Sequence, residues 1–283
     1  MPSNYLVYDV FTDAPFGGNQ LAVFPDAQAL PQEKLQQIAA EFNFSEVTFV
    51  YPPSDDDHSA KVRIFTPTSE VDFAGHPTIG TAVALSQLGH NSPMVLELGI
   101  GPVPCEVEGD SASFTVSNPL QTFGAPTVDD IAKALGLPVS SIVTDTHAPV
   151  QASLGLPFTL AELKDREALR NIETDVSQFK YCQNKYPVDL DFAIFAYVRD
   201  GGKIDSRMFA PLDNIPEDPA TGSASATLAA LLTDIIGMPQ SLSFTQGEDM
   251  GRLSNIEITT TNDPLTVTVS GSAIQVMRGE LMI

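Results

Sequence analysis

Arg63-Ile64-Phe65-Thr66-Pro67 runs on into Gly75-His76-Pro77-Thr78-Ile79-Gly80-Thr81-Ala82, and Arg207-Met208-Phe209-Ala210-Pro211 runs on into Asp218-Pro219-Ala220-Thr221-Gly222-Ser223-Ala224. Each copy passes from an Arg-x-Phe-x-Pro strand, through a polar loop, into a helix start that contains proline. The arginine lies 13 residues before His76 in the first copy and 11 before Asp218 in the second, so one short indel separates them. A duplicated domain accounts for this better than chance. It places two ionisable groups, His76 and Asp218, at equivalent points of two halves, where a pseudo-twofold protein can build a reaction centre.

The segments that follow the two motifs share a second property. From Pro77 to Gly89 and from Pro219 to Thr233 there is no charged residue, and Ala, Gly, Ser and Thr abound. A helix uncharged on every side is enclosed by other structure. Val-, Phe- and Thr-rich stretches at 61–65, 94–98 and 114–116 flank the first, and 192–198, 206–209, 256–260 and 265–269 flank the second, which predicts sheets wrapped around central helices. Around this frame, residues 5–11 and 20–24 read as strands, 31–41 as a surface helix with proline in its first turn, and 47–51 as a strand. Ser45 and Glu46 then fall at a helix-to-strand junction. Residues 129–135 and 160–169 are expected as peripheral helices of the second half. Ser117-Asn118-Pro119-Leu120 marks the junction, giving domains over 1–118 and 119–283, with a C-terminal tail able to cross back to the first. The stretch 267–271 is expected to end the second domain as 114–118 ends the first.

Composition narrows the function. A chain of 283 residues that is 43% hydrophobic can bury a large core or two ordinary ones. A formal charge of −22 repels phosphate backbones and anionic bilayers, which argues against nucleic-acid and membrane partners. No signal-peptide pattern and no run of about 18 apolar residues is present, so a soluble, cytoplasmic protein is expected. Cys105 and Cys182 are isolated and read as core thiols; the four histidines show no metal-ligand spacing, so no metal site is expected. Asp55-Asp56-Asp57 reads as a solvated loop.

The residues that could carry chemistry each have a plainer reading. Gly75 and Gly222 either allow tight turns or open helix N-termini whose N–H groups trap a carboxylate; the duplication favours the trap. Glu46, flanked by Phe44, Val47 and Phe49, is placed for partial desolvation, which suits a proton shuttle. His76 and Asp218 each precede proline, which fixes the backbone; alone, one could be a structural imidazole and the other a cap. Glu217 competes with Asp218 as the second acid.

Phe16-Gly17-Gly18-Asn19 with Leu21-Ala22-Val23-Phe24, Asn43-Phe44-Ser45-Glu46, the two helix-start motifs, and Gln246-Gly247 with Met250-Gly251-Arg252 together resemble the PhzF family of phenazine-biosynthesis-type isomerases, in order and over nearly the whole chain. The resemblance implies an α+β, diaminopimelate-epimerase-like fold of two pseudo-symmetric domains, each a β-barrel wrapped around a central helix, with a cleft between them and a homodimeric assembly. It implies a cofactor-free proton shift on a small carboxylic acid such as trans-2,3-dihydro-3-hydroxyanthranilate. By motif match Glu46 is the acid/base and His76 and Asp218 its polar partners, while Ser45, Gly75, Gly222, Ser223 and Asn19 bind substrate. Gln20 and Leu253 stand where the family often has proline. Cysteine-dependent racemases of the same fold carry thiols at motif positions, which Cys105 and Cys182 do not occupy. A two-base epimerase using Glu46 and Asp218, and a non-catalytic binder of small acids, are the rival readings.

Overall fold

The computed structural model of the protein describes residues 3–188 and 190–283. The chain divides into two compact units, Met1–Val116 with Thr268–Ile283, and Ser117–Val267.

In the first unit the strands are β1 (Ser3–Val10), β2 (Asn19–Phe24), β3 (Glu46–Tyr51), β4 (Ala60–Phe65), β5 (Glu70–Val71), β6 (Met94–Leu98), β7 (Gly101–Glu108) and β8 (Ser111–Val116), with helices α1 (Leu35–Phe42) and α2 (Gly75–Gln87). Pairing runs β1-β2-β3-β4-β6-β7-β8, with β2–β3 and β4–β6 parallel and the remaining pairs antiparallel. A long strand from the end of the chain pairs with both β1 and β8 and so closes the ring. Helix α2 lies within it, every residue from Gly75 to Leu85 buried, as its lack of charge requires. A Cβ on Gly80 would lie 2.6 Å from Leu21 and 2.7 Å from Val10, so a hydrogen at this position lets the helix approach β1 and β2. Outside the barrel, α1 buries Leu35, Ile38 and Ala39 against Ala22, Phe24, Val47 and Phe49.

The second unit contains β9 (Gln121–Thr122), β10 (Val150–Ser153), β11 (Pro157–Glu162), β12 (Ile194–Asp200), β13 (Lys203–Ala210), β14 (Ile215–Asp218), β15 (Ser241–Gln246) and β16 (Ser254–Asn262), with helices α3 (Val128–Ala134), α4 (Arg166–Arg170), α5 (Val176–Lys185) and α6 (Gly222–Ile236). From β10 the order is β10-β11-β12-β13-β15-β16, with pairs antiparallel, parallel, antiparallel, parallel, antiparallel. The first unit shows the same alternation from β1 to β7, and β14 leans on β13 as β5 leans on β4. The duplication read from two short motifs therefore extends to the strand pairing. Helix α6, buried from Ala224 to Thr233, is the counterpart of α2. On the other face α3, α4 and α5 pack Ile131, Leu135, Leu169, Phe179 and Cys182 against Ile194, Ala196 and Phe209.

Two expectations change. Residues 160–169 are not a helix: β11 runs to Glu162, and only Arg166–Arg170 is helical, opened by Asp165, whose side chain accepts from Ala168 N. Phe158 to Ala161 are all buried in a strand between β10 and β12, and a short run buried on both faces carries no period that separates strand from helix. The C-terminal strand differs too: the second unit does stop at Val267, beside the expected 267–271, but the strand there does not stop with it. Strand β17 (Leu265–Leu281) continues as one element, and its later half takes up antiparallel register with β1 from Ser3↔Leu281 to Val10↔Ala273. Cys105 and Cys182 are buried free thiols, and Asp55 to Asp57 form an exposed turn.

Candidate active site

Three elements of the first unit begin beside one another. Parallel pairing sets Leu21 opposite Glu46, so β2 and β3 start at the same rim, and His76 is the second residue of α2. His76 Nδ1 lies 3.4 Å from Glu46 Oε2 and 3.5 Å from Asn19 Nδ2. His76 is 4% exposed and Asn19 1%, whereas the Glu46 side chain as a whole keeps 16%, although Oε2, the oxygen that faces the imidazole, is itself buried. Burial pushes the imidazole down to about 3, only partly offset by an interaction with the Gln20 backbone, and the ring is therefore neutral at ordinary pH. Its Nε2 is buried and has no hydrogen-bond partner among the described residues.

Local backbone explains why the motif residues are what they are. Asn43 closes α1 in the left-handed region at φ 51°, which turns the chain so that Ser45 and Glu46 enter β3. Gly18 sits at φ 61°, and a Cβ there would lie 2.2 Å from the Val10 carbonyl oxygen, so no side chain fits just before Asn19. Phe16, at φ 71°, is held by its backbone N–H, which donates to Asp9 Oδ2 at 2.7 Å. Asp9 is 1% exposed and went unrecognised in the sequence, where it reads as one more residue of an alternating strand.

The second unit holds Asp218 by different means. It ends β14, is 5% exposed, and accepts from Thr221 Oγ1 at 2.5 Å. Buried Gln246 braces the turn: its Nε2 donates to the Asp218 carbonyl at 2.8 Å and to Thr221 Oγ1 at 3.0 Å, and its Oε1 accepts from Thr221 N at 3.2 Å. Gly247, at φ 73°, would bring a Cβ within 2.6 Å of the Pro219 carbonyl oxygen, so Gln246-Gly247 belongs to the Asp218 turn. Ser254 Oγ completes it by donating to the Pro219 carbonyl at 2.8 Å. The competing carboxylate, Glu217, is engaged elsewhere, accepting from Arg207 Nε at 2.8 Å and Nη2 at 2.7 Å.

Both enclosed helices open without a side-chain cap. Ala74 precedes Gly75, Thr221 precedes Gly222, and neither N-cap side chain accepts a hydrogen bond from a backbone N–H of its helix. Such ends present backbone N–H groups and the positive end of the helix dipole, a setting for a carboxylate. Gly75 and Gly222 are buried, and Ser223 is partly exposed. Among the described residues no group of three His, Cys, Asp or Glu side chains could hold a metal ion, and no helix is long and apolar enough to cross a membrane.

A β-barrel closed around a helix, matched strand for strand by a second unit, is the diaminopimelate-epimerase-like fold. It is shared with a hydroxyproline epimerase from Agrobacterium vitis, at a TM-score of 0.63 and 14% identity over 99% of this chain and 91% of that one. The chain belongs to the phenazine biosynthesis-like protein family, PhzC-PhzF, whose model matches residues 8–279. It is 35% identical to the trans-2,3-dihydro-3-hydroxyanthranilate isomerase of Pseudomonas fluorescens, over 99% of each chain. It is also similar to the structure of a predicted epimerase from Pseudomonas aeruginosa, with a TM-score of 0.82 and 29% identity over 99% of each chain. The protein is an enzyme of the isomerase class.

Proposed function

We propose that the protein catalyses a 1,3-type proton shift on a small cyclic or amino carboxylic acid without a cofactor, with Glu46 as the group that takes a proton from one carbon and returns it to another. The observation that carries this reading is the 3.4 Å approach of Glu46 Oε2 to the buried, neutral His76. A carboxyl on a partly exposed side chain, beside an imidazole that stays neutral, can change protonation state without changing the charge of its buried neighbour, which is what a shuttle needs. Backbone N–H groups at helix starts are assigned to the substrate carboxylate, with Gly75, Gly222 and Ser223 as the candidates and Ser45 and Asn19 as further polar contacts. Asp218 is assigned as the second acid group acting on substrate. The Pseudomonas relatives named for dihydro-hydroxyanthranilate make that acid the first substrate to try. A homodimer in the cytoplasm is the proposed working form.

A two-base epimerisation with Glu46 and Asp218 is the second reading, supported by the similarity to a predicted epimerase. Incubation with a panel of small carboxylic acids in D₂O separates the readings. Label on a carbon different from the one deprotonated marks a shift; label at one inverted centre marks epimerisation. Glu46→Gln is expected to lower incorporation by at least about 10²-fold, and a variant within a factor of about two of wild type would sink the assignment.

A further inference from the structure

Two groups approach one nitrogen of His76. Nδ1 lies 3.5 Å from Asn19 Nδ2 and 3.4 Å from Glu46 Oε2, while Nε2 has no hydrogen-bond partner among the described residues. A carboxamide nitrogen can only donate, so a ring nitrogen that faces it must present a lone pair. A neutral imidazole has one bare nitrogen and one N–H, and the bond made at one nitrogen settles which is which. The ring is neutral because it is fully buried.

We propose that Asn19 is a positioning residue that fixes the tautomer of His76, donating to Nδ1 so that the imidazole carries its proton on Nε2 and offers Glu46 no N–H. The consequence for Glu46 follows from charge. With no ring N–H to stabilise its carboxylate, Glu46 is the stronger base and more readily takes the proton that it later returns. The opposite tautomer, with the proton on Nδ1, would hydrogen-bond the carboxylate and weaken Glu46 as a base. Asn19 thereby sets how strongly the shuttle pulls on its proton. Its place is secured on both sides: Gly18 allows the chain to turn beneath the Val10 carbonyl, and Asn19 itself is in register with Val10 in the β1–β2 pair. That catalytic consequence rests on the role assigned to Glu46 above, whereas the tautomer does not.

The test is ¹⁵N NMR of the imidazole nitrogens in the full chain labelled at histidine, with His76 among only four histidines and assigned by its loss in His76→Gln. In wild type, Nε2 is expected to carry the proton and Nδ1 to be bare at pH 7. Asn19→Asp, which offers only acceptors, is expected to move the proton to Nδ1; Asn19→Ser, which keeps a donor, is expected to retain the wild-type tautomer. Deuterium incorporation into dihydro-hydroxyanthranilate should fall at least about tenfold in kcat for Asn19→Asp and much less for Asn19→Ser, as orders of magnitude are lost when a catalytic imidazole holds the wrong tautomer. A wild-type proton on Nδ1 overturns the proposal whatever the variants do. An Asn19→Asp protein with the wild-type tautomer overturns it as well. If the tautomer behaves as stated but no acid in the panel takes up label, the proton-shift reading fails and the positioning role of Asn19 stands.

Discussion

The first unit carries an imidazole in the first turn of its central helix and the second a carboxylate in the turn just ahead of its own, and the two are held by unlike means around a like frame. The frame is the arginine. Arg63 lies over Phe65 and Arg207 over Phe209, each 5.0 Å from the ring centroid, and each clamps a glutamate through two nitrogens, Glu70 in one case and Glu217 in the other. The remaining guanidinium nitrogen marks the divergence. Arg63 Nη1 donates to the Gln32 side chain, whereas Arg207 Nη1 donates to the carbonyls of Leu169 and Arg170 at the end of α4. The second unit has thus built a helical layer onto its clamp, while the first has left its clamp more open. Duplication preserved the strand order and the clamp and let the ionisable groups specialise.

The clamps supply the sharpest test of that divergence. Arg207 and Glu217 are 12% and 16% exposed, against 27% and 43% for Arg63 and Glu70. Arg207→Ala leaves a mostly buried carboxylate without its partner and should cost about 3 kcal/mol, while Arg63→Ala should cost about 1 kcal/mol or less. Urea unfolding of the two variants checks this, and equal losses would show that the clamps remain energetically alike.

A smaller effect separates the ionisable groups. The unfolded chain takes up a proton on His76 near pH 6.5, whereas the folded chain does so only near 3. This group therefore costs nothing above about pH 6.5, and stability drains as the pH falls from there toward 3, by about 2 kcal/mol at pH 5. His76→Gln should lose this part of the acid sensitivity. Identical slopes of stability against pH for wild type and variant would place the imidazole in a wetter setting than its burial describes. The smallest expected change is in the second unit, where Thr221→Val removes the hydroxyl that donates to Asp218 and should cost about 1 kcal/mol in thermal melting. A neutral result there would mean that Gln246 and Ser254 hold the turn without that hydroxyl.

Much of this was legible in the amino-acid order because it depends on local chemistry. Charge-free helices must be enclosed, and two copies of Arg-x-Phe-x-Pro ahead of such helices specify two like units. Glu46 and His76 stood out by motif, and the contact between them is formed by β3 and α2. What was not legible depends on partners distant in sequence. Residues 160–169 read as helix in the sequence because strand neighbours on both sides, not a period, decide β11. Gln246 lies 28 residues from Asp218, and nothing short of the folded turn shows that it braces that residue's backbone. Asp9 tethers Phe16 seven residues on, across a loop whose geometry no propensity encodes. Glu217 could be set aside only once Arg207 was seen to occupy it.

The strand that closes the first barrel has a consequence for synthesis. Residues 3–10 emerge early from a ribosome and their antiparallel partners, Ala273 to Leu281, some 260 residues later. The second unit is one unbroken stretch from Ser117 to Val267, and all of it can be assembled while the first still has an open seam along β1 and β8. The unit that carries Glu46 and His76 is begun before the second unit and closed after it, so a nascent chain holds the Glu46–His76–Asn19 cluster on a closed scaffold only once β17 has paired.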